Sequence, residues 1–359
     1  MNEFYCATRI LAGEAGQVLS SLKPKRLLVV TDPYFMENGT ARRLAEASGA
    51  ESWELFSEVE PDPPVELAAK GTAQLKAFVP DTVAALGGGS AMDCAKAMVY
   101  FSGLQPRLIA IPTTSGSGSE VTDFAVLTHG KGKHPLVDDS LQPYAAVLDE
   151  NLLTQLPKTL IADAGFDVLA HALEAYVAAG ASEMTDALAK EAFCIAFAHL
   201  PASYGGAAAV RGRIHMAATM AGVAFSNAGL GLCHAMSHAL GGMFHVPHGR
   251  LNAVLLPTVV GCNALVVGDK YARIARSAGL CGAADTVAVR NLKNGLCRLR
   301  RELSLPETLR QAGVDPRKLR GHGEALVKAV LEDPCCKTNP LTVEDFMVRK
   351  VLEEVAGRG

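Results

Sequence analysis

The chain has 359 residues, 49 % of them apolar and 6 % aromatic, with a formal charge of −3. That length exceeds one ordinary core and calls for two domains, while the apolar content excludes a disordered chain. The near-neutral balance, with no block of Lys or Arg, excludes nucleic acid and anionic membranes as expected partners.

The chain begins MNEFYCATRILAGEAG, with an acid at position 3 and no sustained apolar run, so no signal peptide is expected. Five short apolar runs then read as strands: 26–32, 52–59, 81–90, 107–114 and 144–150. Helix-like spacing fills the intervals at 39–49, 63–78 and 90–103. Such alternation predicts a mostly parallel, Rossmann-like α/β sheet covered by helices. After Pro157 the pattern changes to long Ala-rich helical runs at 158–180, 182–205 and 208–229, with Ser182 and Asp186 as start signals. The reading is therefore an α/β domain over 1–156 and an all-α domain over 157–359. No run is read as long enough and apolar enough to span a membrane. Nine scattered cysteines without a repeated CxxC spacing suggest reduced thiols and a cytoplasmic setting.

Two loops of the first half carry chemistry. VAALGGGSAMDCAKAM leads from a strand through Gly87, Gly88, Gly89 and Ser90 into a helix. Backbone N–H groups there could cradle a pyrophosphate, or the glycines could simply make a strand-to-helix turn. IPTTSGSGSEVTD places Thr113, Thr114 and Ser117 at the same strand end, where open α/β sheets bind ligands. Asp32 closes the first strand, either to accept bonds from an adenosine ribose or as an ordinary turn residue.

The second half concentrates possible metal ligands. Asp167 and His171 are i, i+4 on an apolar helix, where a buried carboxylate is costly unless paired or metal-bound. LCHAMSHALGGMFHVPHG adds His234, His238, His245 and His248, four of the chain's ten histidines. These are too many for one site, and spacing alone does not choose among them.

GGGSAMDCAKA, IPTTSGSGSEVT, DVLAHALEAY and AFSNAGLGLCHAMSHALGGMFHVPHGRLNAVLLP occur in that order. Together they resemble the group III, iron-containing alcohol dehydrogenases, over nearly the whole chain. The resemblance implies a dehydroquinate synthase-like architecture: a dinucleotide-binding domain, a helical domain, and Fe2+ (or Zn2+) in the cleft between them. By motif position Asp167, His171, His234 and His248 would be the ligands, three imidazoles and one carboxylate, which suits either metal. His238 would lie near the substrate without ligating, as a proton relay or a plain core histidine. His245 falls outside the set. Gly87, Gly88, Gly89, Ser90, Asp93, Thr113, Thr114, Ser117 and Lys133 would line NAD(H), Asp32 would favour it over NADP(H), and Phe225 would narrow the substrate channel. Ser117 stands where the family often has Thr.

Within the family the chain looks most like the 1-propanol/ethanol dehydrogenases of propanediol- and ethanolamine-utilising bacterial microcompartments. That implies a short uncharged alcohol or aldehyde, a partner aldehyde dehydrogenase or shell, and a homodimer or larger homo-oligomer. The alternatives are a sibling acting on 1,3-propanediol, lactaldehyde or 4-hydroxybutyrate, a dehydroquinate synthase-like lyase, and a non-catalytic metal-binding protein. The lyase would need a basic cluster, and Arg250 is the basic residue nearest the predicted ligands in sequence.

Overall fold

The computed structural model describes residues 3–130 and 132–357. The chain divides into two compact units, Tyr5–Leu156 and a second that starts at Pro157 and also takes in Glu3 and Phe4.

The first unit is built on β1 (Arg9–Ala12), β2 (Arg26–Thr31), β3 (Ser52–Phe56), β4 (Thr82–Gly87), β5 (Arg107–Pro112), β6 (Phe124–His129), β7 (Gly132–Val137) and β8 (Ala145–Leu148). Six of them form one all-parallel sheet in the order β1-β8-β5-β4-β2-β3. Its central strands read RLLVVT, TVAALG and RLIAIP because they are buried on both faces. Alternate residues go to opposite sides. Leu28, Val30, Val83 and Ala85 meet α4 (Val65–Phe78) and α5 (Gly89–Ser102) through Leu75, Phe78, Met92 and Met98. Leu27, Val29, Ala84 and Leu86 meet α1 (Ala15–Ser21) and α3 (Thr40–Ala47) through Leu19 and Leu44, while α2 (Pro33–Glu37) follows β2 directly.

From β2 the winding first moves outward to β3, then returns to the other side of β2 and continues through β4, β5 and β8. It reverses between β2 and β4, so the carboxyl ends of those two strands flank the crevice where such sheets take ligands. Asp32 and Gly87 to Ser90 lie there.

Three features depart from the sequence expectation. The edge strand β1 is mostly exposed and pairs with β8 alone, so it lacks the buried apolar run that marks the inner strands. The antiparallel β6–β7 hairpin was not expected, since Pro135 and two histidines disguise it. Pro135 is tolerated because β7 is an edge. The strands at 52–59 and 81–90 end earlier, at Phe56 and Gly87.

The second unit is helical: α6 (Lys158–Val177), α7 (Glu183–Tyr204), α8 (Arg211–Ala228), α9 (Leu232–Phe244), α10 (His248–Ser277), α11 (Asp285–Glu302), α12 (Pro316–Gly321), α13 (Gly323–Glu332) and α14 (Asp345–Val355). Ser182 caps α7 in a reciprocal capping box with Thr185, while Asp186 pairs with Lys270 at 2.8 Å. Contrary to the sequence reading, α10 is long and apolar enough by composition to cross a membrane, yet its most apolar window is mostly buried in the fold. It is a core helix. Among the described residues all nine cysteines are free.

Candidate metal centre and nucleotide edge

In the helical unit, α6 carries Asp167 and His171 one turn apart, and Phe166, Val168, Leu169, Ala170, Ala172 and Leu173 around them are fully buried. α9 presents His234 in its first turn and α10 begins at His248. Gly249 lets α10 start so close to α6. A Cβ there would overlap the Asp163 carbonyl oxygen, one turn before Asp167. Arg250 locks the same approach with two bonds to Asp163, at 3.2 and 2.9 Å.

Asp167 Oδ1 lies 3.9 Å from His171 Nε2, 3.7 Å from His234 Nε2 and 3.6 Å from His248 Nε2. These separations are too long for hydrogen bonds. They are a few tenths of an ångström wider than the ~3.0–3.4 Å expected of donors ~2.1 Å from a shared ion. The donors of Asp167, His234 and His248 all fall within 4.8 Å of one another, and His171 joins them through Asp167. The residues present fit a divalent metal. His245 is not among them: it ends α9 in the left-handed region, exposed to solvent.

The donors are themselves held. Glu174, one turn beyond His171, accepts from the N–H groups of Gly231, Cys233 and His234 at the start of α9. It also meets His234 Nδ1 at 2.7 Å, which fixes a proton there and leaves Nε2 as the nitrogen that faces Asp167. Asn252 donates to Asp167 Oδ1 at 2.7 Å and accepts from the Ser237 hydroxyl. Phe225 stacks on His171 at 4.4 Å, and His171 on His234 at 4.5 Å. Burial opposes ionisation of Asp167, yet His171, His248 and His234 outweigh it and hold the carboxyl well below its usual range. Burial also opposes a charge on His234, but Asp167 and Glu174 push it up to about 9. His248 goes the other way: burial, with His234, His238 and His171 beside it, outweighs the pull of Asp167 and lowers its pKa well below the usual imidazole value.

His238 is on the same helix but half-exposed. Its Nδ1 meets Asp333 Oδ2 at 2.9 Å, and its ring stacks on His248 at 5.2 Å. Burial of Asp333 is outweighed by His238, which lowers its pKa.

In the α/β unit, Gly87 adopts φ 154°, and a Cβ there would come within 2.6 Å of the Ala91 methyl. Gly88 and Gly89 run against Thr114 and Ser117, where added methyls would meet the two hydroxyls at 3.3 and 3.2 Å. The glycine turn and the hydroxyl loop therefore form one edge, as adjacent parallel strands require. Thr113 is buried beside it, its N–H donating to Gly87 at 2.9 Å. Asp32 caps α2 by accepting from Phe35 N–H through Oδ1, while Oδ2 faces Gly87. Burial raises the pKa of Asp32.

Other residues expected to line the coenzyme are engaged within the unit. Asp93 accepts from the Ser119 hydroxyl at 2.7 Å and from Val126 N–H at 3.1 Å. Ser90 accepts from Asp62 N–H, and Lys133 pairs with Asp62 at 2.6 Å. Lys96, which the sequence reading passed over, donates to Thr122 and Phe124 and ties the hairpin to α5. Burial pushes its pKa down to about 8.

Glu174, Asn252, Gly249 and Asp333 were also missed. Glu174 left a signal, since Asp167, His171 and Glu174 are i, i+4, i+7 on an otherwise apolar helix. Asn252, Gly249 and Asp333 act through tertiary contacts that spacing does not record.

The profile of iron-containing alcohol dehydrogenases matches residues 7–150, and that of the Fe-containing alcohol dehydrogenase C-terminal region matches 161–356. The chain is 40 % identical to the 1-propanol dehydrogenase PduQ of Salmonella typhimurium, over 99 % of this chain and 100 % of that one. It is 37 % identical to an NADPH-dependent butanol dehydrogenase of Clostridium saccharobutylicum, over 83 % and 82 %. Its fold matches a sulfoacetaldehyde reductase from Bifidobacterium kashiwanohense in complex with NAD+. There the TM-score is 0.89 and the identity 25 %, with both chains fully covered. A parallel α/β unit, a helical unit with three imidazoles around one carboxylate oxygen, and profile matches to both halves agree: the chain belongs to the iron-containing alcohol dehydrogenase family.

Proposed function

We propose that this alcohol dehydrogenase interconverts a short, uncharged primary alcohol, such as 1-propanol or ethanol, and its aldehyde, with NAD(H) as coenzyme. The observation that carries the reading is the convergence of three imidazole nitrogens on one Asp167 oxygen. Asp167, His171, His234 and His248 would hold Fe2+ in the helical unit, residues 157–359. When bound, that ion supplies Lewis-acid polarisation of the substrate oxygen, and the nicotinamide supplies the two-electron exchange.

The protein's own groups do the rest. Glu174 keeps the His234 proton on Nδ1, and Asn252 holds the Asp167 carboxylate in place. His238, backed by Asp333 and open to solvent, can carry the alcohol proton outward. Phe225 supplies an apolar wall against His171, which excludes water. Arg250 is already paired with Asp163, so it offers no free cation for a carboxylated or phosphorylated substrate. That disfavours the lyase alternative and agrees with the 1-propanol-dehydrogenase relative.

In the α/β unit, residues 1–156, the N–H groups of Gly88, Gly89 and Ser90 would bind the pyrophosphate at the start of α5, with Thr113, Thr114 and Ser117 alongside. Asp93 and Lys133 would shape this surface through their internal bonds. Asp32 Oδ2, facing the glycine turn, would accept a ribose hydroxyl and repel a 2′-phosphate. The NAD+ complex supports this coenzyme, whereas the butanol dehydrogenase relative uses NADPH, so the preference rests on Asp32. By the resemblance stated above, the setting is the cytoplasm or a microcompartment, as a homo-oligomer beside an aldehyde dehydrogenase.

The test is an anaerobic assay of Fe2+- and Zn2+-loaded enzyme against C2–C4 aldehydes, diols and 4-hydroxybutyrate, with NADH and NADPH. The reading expects the highest kcat/KM for propionaldehyde or acetaldehyde with NADH. A clear preference for a charged substrate would overturn it.

A further inference from the structure

Next to the proposed iron ligands a second group of donors converges, of different chemistry. His238 comes from α9, while Asp333 and Cys335 come from the short 3-10 turn Pro334–Lys337 and its cap after α13. One donor atom from each lies within 4.8 Å of the other two. We propose that His238, Asp333 and Cys335 form a second cation site for a thiophilic divalent ion such as Zn2+ or Cd2+, and that filling it inhibits the enzyme by capturing His238.

The turn is already shaped for this. Cys335 N–H donates to Asp333 Oδ1 at 2.8 Å, which leaves Oδ2 facing His238 Nδ1. The imidazole is 43 % exposed, so an ion can enter from solvent without passing the buried donors of the first centre. Bond lengths of ~2.0 Å to N or O and ~2.3 Å to S place tetrahedral donors ~3.3–3.6 Å apart. Closing from the present spread therefore takes a movement of about an ångström by a half-exposed side chain.

The ligand types separate the two centres. The first offers three imidazoles and one carboxylate, suited to Fe2+ or Zn2+, whereas the second exchanges two imidazoles for a thiolate and favours a softer ion, Cd2+ above all. As the sulfur–metal bond forms, the Cys335 proton leaves to solvent, and by exchange with solvent the His238 N–H ends on Nε2, so that Nδ1 binds the ion. Carboxylate and thiolate together balance the dication. Cys336, adjacent in sequence, directs its sulfur to the Val330 carbonyl at 3.0 Å and takes no part. It is the internal control.

The binding half of the proposal stands on this geometry alone, and the inhibitory half rests on the dehydrogenase reading. Two readouts keep them apart. Iron-loaded enzyme titrated with Cd2+ should develop a thiolate-to-metal charge-transfer absorbance. The parent and Cys336→Ser should take up one ion per chain more than Cys335→Ser, with iron retained in all three. Equal absorbance in Cys335→Ser and the parent overturns the site. Zn2+ should inhibit Cys335→Ser roughly tenfold more weakly than the parent, at matching basal turnover. Equal inhibition overturns the regulatory half even if the ion binds. Should Cys335→Ser not fold, X-ray absorption at the cadmium edge of the unmodified holoenzyme decides. One sulfur among nitrogen and oxygen neighbours supports the site, and no sulfur overturns it.

Discussion

The two ends of the proposed chemistry are built from different material. In the helical unit the donors are side chains, and two of them are held by other side chains, His234 by Glu174 and Asp167 by Asn252, while Arg250 locks the start of the helix that carries His248. At the α/β edge the groups proposed to hold the coenzyme are backbone N–H groups at the start of α5, exposed by glycines. The side chains nearby mostly bond to their own loops, as Asp93 does to Ser119 and Val126. A side-chain site can be destroyed at one position. A backbone site spreads its binding over several peptide groups, so single substitutions reach it only indirectly.

The sharpest way to break that contrast is to delete donors. Asp167→Ala, His234→Ala or His248→Ala should each abolish tight metal binding and lower kcat/KM by on the order of 10³-fold or more. His245→Ala, at the exposed end of α9, should leave both within about twofold. Metal analysis of the purified variants beside their turnover checks this, and the reverse pattern would discard the ligand assignment. Ser90→Ala and Thr114→Ala on the α/β edge should act mainly on the coenzyme KM and by roughly tenfold at most. A Ser90 effect as large as the Asp167 effect would dissolve the distinction.

Glu174→Gln sits one layer out. It keeps the volume and weakens the acceptor that orders His234 and the start of α9, so metal affinity should fall roughly 10- to 100-fold. A chelator-competition titration measures it. Unchanged affinity would mean that α9 alone positions the imidazole.

The same network sets a pH dependence. In the metal-free protein His234 titrates near 9, above the ~6.5 of an unfolded histidine. Because the folded value is raised, its protonated form adds stability fully below about pH 6.5, and that contribution fades as pH rises toward 9. Metal binding needs the neutral ring and runs oppositely. Apparent affinity should climb by up to roughly tenfold per pH unit between about 7 and 9, then level off. Binding isotherms across that range test it, and a flat profile would show that no proton leaves His234.

The sequence marked these regions unequally for the same reason. Buried strands read clearly because burial on both faces demands continuous apolar runs, as in RLLVVT and RLIAIP. The helices after Pro157 read clearly from their Ala-rich period, with observed ends within about three residues of those expected. Arg9–Ala12 and the hairpin did not, because edge strands need no such run and Pro135 argues against a strand. Asp167 stood out as a costly carboxylate on an apolar helix with His171 one turn on, whereas His234 and His248 stood out only as two of four clustered histidines. Spacing could not choose among the four histidines of the 232–249 stretch; motif resemblance did. Gly249 and Asn252 act across helices, and their only linear trace is adjacency to His248. Asp333 lies 95 residues beyond His238, its partner.

Asp32 joins the two kinds of site, since it is a single side chain on the backbone-built edge and already has a structural task. Its Oδ1 caps α2, so Asp32→Gly should cost only a few tenths of a kcal/mol and Asp32→Ala about 1 kcal/mol. Both remove the negative charge beside Gly87 alike. If coenzyme choice depends on that charge, the two variants should shift the NADH-to-NADPH ratio of kcat/KM toward NADPH by the same factor, roughly tenfold, despite unequal stabilities. A ratio that tracks melting temperature instead would mean that the carboxylate acts by holding α2, and that the preference lies in backbone shape. An unmoved ratio in both would remove Asp32 from coenzyme selection and leave the glycine edge with no discriminating side chain.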